Sequence, residues 1–208
     1  MSLSSSLSDF NSPSFIKEYV NNVTVYWYDE DFAQSRYPPG QKISQACTLI
    51  CLLVAQRISE AGFFIRDIES NPEISNYIAK AMIEGNATHA RIVKNGLVAH
   101  PYLSIEEALR HGGNKLIIMK EWTFQVFHER IERGLYKNIS NFLHKWYASP
   151  KSNNLFMFLI TCGRTVLFIF QENTNIVTFF DSHNHQMNTR PTRGLVLAQV
   201  NLHRKINF

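Results

Sequence analysis

Apolar residues run almost unbroken from Ala46 to Ala55, within SQACTLICLLVAQRISEAG (44–62). Gln56, Arg57, Ser59 and Glu60 then interrupt the run and Gly62 stops it. A run of that length with a glycine stop predicts a helix rather than a strand. Because its first half is apolar on every side, this helix should be buried all round. A second helix is signalled by Asn71 as cap, Pro72 at the first position and Glu73 in the first turn. Ile74, Tyr77, Ile78 and Met82 follow at helical spacing up to Gly85. Ser104-Ile-Glu-Glu107 is a capping-box pattern opening a third helix that stops at Gly112-Gly113. Leu135, Ile139, Leu143 and Trp146 share one face of a helix over 135–147, ending before Pro150.

The last third of the chain changes period. LFMFLITCG, RTVLFIFQ and NIVTFFD are dense strand candidates separated by short turns, so an antiparallel meander follows, and GLVLAQVNL (194–202) adds a strand. NNVTVYWYDEDF (21–32) supplies an early strand, and KLIIMKEWTFQVF (115–127) reads as one or two more. Residues 35–44 form a loop around Pro38-Pro39-Gly40, and 86–103 carry no clear pattern. The expected organisation is a serine-rich flexible leader at 1–13, then a single domain over 14–208. Its fold class is α+β: a central buried helix packed against a C-terminal antiparallel sheet.

Composition changes this picture little. The 208 residues are 45% hydrophobic and 18% charged, a globular balance. A net charge of +4 without any long basic block does not indicate nucleic acid. Three cysteines, Cys47, Cys51 and Cys162, are an odd number in apolar contexts, which points to a reducing, intracellular setting, cytoplasmic or nuclear, rather than a disulfide framework. No apolar run reaches membrane-spanning length, so no membrane partner is expected. Asn22-Val-Thr24, Asn86-Ala-Thr88 and Asn138-Ile-Ser140 match the glycosylation pattern, which means little without a secretory signal.

Chemistry concentrates in two places. Cys47 sits near the first turn of the buried helix, where free backbone amides and the positive helix end favour thiolate over thiol. Cys51, one turn further on, reads as core. The third meander strand runs directly into Asp181-Ser-His-Asn-His185, and in an extended chain Asp181 and His183 project to the same side. A carboxylate beside an imidazole fixes its tautomer and stabilises the imidazolium, as a base serving a thiol requires.

A cysteine on an early central helix followed by a histidine on a late antiparallel sheet resembles the chain order of papain-like cysteine peptidases. Gln41 lies six positions before Cys47, where that superfamily places a glutamine of its oxyanion hole, although Gln45 is also close. The Asp-x-His pair is most similar to the herpesvirus tegument deubiquitinases and related transposon-derived domains. The resemblance covers residues 41–55 and about 155–185, and the small-residue signature of papain around its cysteine is absent. It implies Cys47 as nucleophile, His183 as general base and acid, Asp181 as orienting group and Gln41 as oxyanion donor, with no cofactor. The substrate it implies is a protein, ubiquitin or a ubiquitin-like modifier cut at a peptide or isopeptide bond. Asp29, Glu30 and Asp31 would suit the basic tail of such a modifier.

Two alternatives stay open at this stage. One is a papain-like domain that has lost turnover and serves as a protein-binding module. The other is a zinc site built from Cys47, Cys51, His183 and His185.

Overall fold

A computed structural model describes residues 13–149, 152–187 and 190–202. The serine-rich stretch expected as a leader lies, except for Pro13, outside the described residues. The chain begins with a hairpin, β1 (Phe15–Val20) and β2 (Val23–Tyr28), then crosses a long turn into α1 (Cys47–Glu60). The helices α2 (Glu73–Lys94), α3 (Ile105–His111), α4 (Asn114–Ile117) and α5 (Ile131–Ala148) follow. Strands β3 (Asn154–Thr161), β4 (Arg164–Gln171) and β5 (Ile176–Asp181) form the meander, then come β6 (His185–Met187), β7 (Arg190–Arg193) and β8 (Val196–Asn201). With 36% helix and 24% strand this is an α+β chain. No helix among the described residues is long and apolar enough to cross a membrane.

Six strands build one sheet in the order β1-β2-β8-β5-β4-β3, and every neighbouring pair is antiparallel. Alternation along the strands divides the sheet's two faces. From β4, Leu167 and Ile169 join Phe180 and Leu197 in the main core with α1, whereas Phe168 and Phe170 face Leu143 and Trp146 of α5. In α1 every residue from Cys47 to Gln56 is buried, because the sheet covers one side and α2 the other.

The second helix runs through Gly85 to Lys94, nine residues beyond the stop read from the sequence. Gly85 is there for contact, not termination. A Cβ at that position would lie 2.7 Å from Cγ1 of Ile50, so the missing side chain lets α2 press against α1. The strands expected over 115–127 are not formed. Leu116 anchors the single turn of α4, and 119–128 have no regular structure. Phe124 there is 72% exposed, Val126 59%. Alternating apolar residues give strand propensity, which is realised only beside another strand, and none of the described strands pairs with this stretch.

Candidate active site

Cys47 is the first residue of α1, and its surroundings are those of an anion site. No side chain caps the helix start at Ala46, and the first turn carries no acidic residue. The positive end of α1 is therefore left for the sulfur. Beneath it, Thr48 Oγ1 donates to the Leu103 carbonyl at 2.9 Å and lies 2.8 Å from Thr165 Oγ1, which ties the helix mouth to β4.

The partner side comes from β5. This strand lies inside the sheet, between β4 and β8, and ends at Asp181, which pairs with Val196. The chain then turns sharply. Asp181 Oδ1 accepts the His183 backbone amide at 3.0 Å and stands 2.5 Å from Nδ1 of the same residue. One carboxylate oxygen thus sets both the backbone and the ring of His183. With Nδ1 engaged, Nε2 remains free of Asp181, and the ring is close enough to Cys47 for its charge to act on the thiol. Asp181 is hydrogen-bonded to His183, and the His183 imidazole in turn acts on the Cys47 thiol.

Burial of Cys47 works to raise its thiol, but the His183 hydrogen bond and charge, with help from Thr165, prevail and hold it below the ordinary range. Burial of His183 acts to discharge the ring, and the hydrogen bonds to Asp181 and Cys47 overcome it, lifting the ring to about 9. Asp181 is buried too, which opposes its ionisation, yet His183 holds it below the usual carboxylate range. All three directions favour the charged forms: thiolate, imidazolium and carboxylate.

Cys51 is chemically distinct although only one turn away. It is fully buried, its thiol donates to the Thr165 carbonyl at 3.5 Å, and burial pushes its pKa well above the ordinary thiol value. Cys162 lies exposed at the β3–β4 turn. His185 Nε2 stands 3.5 Å from the other oxygen of Asp181 without making a hydrogen bond, and its ring meets Trp27 edge-on. Among the described residues no group of three or more ligating side chains could hold a metal, so Cys47, Cys51, His183 and His185 do not assemble as a zinc site.

Gln41 lies in the loop that leads to α1. Its amide donates to the Ile43 carbonyl, two residues along the same loop, at 3.3 Å. The glutamine joined to the site is Gln34, 2% exposed. Its Oε1 accepts from Ser182 Oγ at 2.6 Å, its backbone amide donates to the Ser182 carbonyl at 2.9 Å, and its Nε2 donates to the Ser44 carbonyl at 3.1 Å. Gln34 therefore fastens the turn between Asp181 and His183 to the loop entering α1. No periodicity marks such a residue, because its partners are 148 positions ahead and 10 positions ahead in the chain. The acidic run also lands nearby: Asn184 Nδ2 donates to the Glu30 carbonyl at 2.9 Å, while the Glu30 side chain pairs with Arg36.

No family model, curated protein or solved structure matches the chain. Its chemistry is read from this geometry.

Proposed function

We propose that the protein is a papain-like thiol hydrolase that cleaves a peptide or isopeptide bond. The observation that carries this reading is the Asp181–His183 hydrogen bond, with the imidazole acting on Cys47 at an uncapped helix start. A buried carboxylate, an imidazole and a thiol in that order are what acyl transfer needs. The papain-like assignment rests on chain order, with the nucleophile on the central helix and the base at the end of a later antiparallel strand.

In this reading the Cys47 thiolate attacks the carbonyl carbon, a C–S bond forms, and the carbonyl electron pair moves onto oxygen. The Cys47 backbone amide and the neighbouring free end of α1 stabilise that oxyanion; one such donor is worth roughly 3–4 kcal/mol in related sites. His183 gives its Nε2 proton to the leaving amine as the C–N bond breaks, leaving a thioester on Cys47. Water then attacks the thioester, His183 takes its proton, and Cys47 departs as thiolate. Asp181 keeps the ring in place throughout and balances its charge.

The substrate class follows from the Asp-x-His likeness to the tegument deubiquitinases: ubiquitin or a similar modifier joined to another protein. Two electrophiles test the two parts separately. Ubiquitin carrying a thiol-reactive group at its C-terminus should form one adduct, located at Cys47 by peptide mapping and absent from Cys47→Ala. Reaction of Cys47 with a small haloacetamide alone would remove ubiquitin as the substrate and keep the hydrolase. Failure of Cys47 to react with either would sink the hydrolase reading.

A further inference from the structure

Asn86 lies in the middle of a helix that carries no part of the triad, yet it is buried and saturated with polar contacts. Its Nδ2 donates to the carbonyls of Gln34 (2.9 Å) and Tyr37 (3.3 Å), and its Oδ1 accepts from Ser44 Oγ at 2.6 Å. Ser44 Oγ in turn accepts the backbone amide of Ala46, the residue before Cys47, at 3.2 Å. From Gln34 the same bridge continues to Ser182 through both its side chain and its backbone. One amide thus reaches the nucleophile's turn through Ser44 and the base's turn through Gln34. Gly85 makes this possible, since only a residue without Cβ lets α2 approach α1 closely at Ile50. A side chain with two donors and an acceptor, all used and 9% exposed, cannot also be a glycan acceptor despite its Asn-Ala-Thr setting.

We propose that Asn86 is a positioning residue that holds the Cys47 turn and the Asp181-Ser182-His183 turn at working separation through Ser44 and Gln34. The proposal rests on the hydrolase reading, because it concerns the pairing of Cys47 with His183. Two turns on separate elements keep a fixed distance only if something rigid spans them, and displacement by about 1 Å is enough to cost a hundredfold in a reaction of this kind. The bridge is buried and its hydrogen bonds are mutually supporting, so losing one member loosens the rest.

The test uses the full chain and a haloacetamide, with alkylation of Cys47 followed by peptide mapping between pH 5 and 10. Asn86→Ala should slow alkylation at pH 6 by about tenfold or more and move the profile toward that of an ordinary thiol. Ser44→Ala breaks the bridge from the loop side with less loss of packing, and decides the matter if Asn86→Ala does not fold. It should shift the profile in the same direction. Ile78→Val, a core change in the same helix, should lower the melting temperature and leave the profile as in the wild type. Folded Asn86→Ala and Ser44→Ala proteins that keep the wild-type profile, while His183→Ala changes it, would overturn the positioning role alone. A wild-type profile in His183→Ala as well would overturn the thiol–imidazole pairing beneath it.

Discussion

Asparagine in place of Asp181 should slow acylation of Cys47 about a hundred- to a thousandfold while the fold stands. In serine triads the same change costs about ten thousandfold, because a neutral amide no longer fixes the tautomer or balances the imidazolium. A thiol depends less on its base, since part of it is already ionised, so the loss here is smaller. The asparagine Oδ1 can still accept the His183 backbone amide that Asp181 holds at 3.0 Å, so the turn keeps its shape. The ring loses the partner most responsible for lifting it to about 9 against burial. Its loss of charge therefore moves to lower pH, and the Cys47 thiol moves up. A burst of nitrophenol from a nitrophenyl ester, a generic acyl donor, measures the rate, and circular dichroism checks the fold. A variant within threefold of wild type would mean that Asp181 does not serve His183.

The second large effect is structural. Gly194 sits where the chain passes from β7 into β8, packed against the turn that follows β2. A Cβ there would collide with the Asp29 carbonyl oxygen and lie 2.5 Å from that of Phe32. Both obstacles are backbone atoms fixed by hydrogen bonds: the Asp29 carbonyl accepts from Phe32 N–H and the Phe32 carbonyl from Leu195 N–H, each at 2.9 Å. Neither can swing aside as a side chain would. Gly194→Ala should cost about 3 kcal/mol or more, at the upper end for overpacking, and lower the melting temperature by roughly 6–12 °C for a chain of this size. The displaced turn carries Gln34 and the Glu30 carbonyl, so acylation of Cys47 should fall even where the protein remains folded. Thermal unfolding reads the first effect; a shift under 2 °C would show that the turn yields freely.

Local signals and long-range ones separate cleanly in this chain. The buried helix, the capping box at Ser104 and Glu107, and the β3–β4–β5 meander depend on residues a few positions apart, and each formed near the expected bounds. Gly85 looked like a helix stop because glycine so often is one, but its cause lies in Ile50 of another helix. Residues 115–127 had strand-like alternation without a strand beside them. β8, set between β2 and β5, brings the N-terminal hairpin into the sheet, a pairing no local pattern announces. At the site, Asp181 and His183 were legible because two residues apart in extended chain is a geometric statement. The spacing of Gln41 before Cys47 is legible along the chain, whereas the link from Gln34 to the site through Ser182 and Ser44 is not. Asn86 stood out only as part of a sequon.

The most direct test of the central claim, that Cys47 is a thiolate held by His183, is the rate of Cys47 alkylation against pH in the unmodified protein. The thiol is held low by His183, so the thiolate and its reactivity persist as pH falls below the ordinary thiol range. As pH rises through about 9 the His183 ring loses its charge and the pairing ends. The account predicts rapid alkylation at pH 6–7, a second step near pH 9, and loss of the low-pH reactivity in His183→Ala. A single step at or above the ordinary thiol value, the same with and without His183, would contradict it.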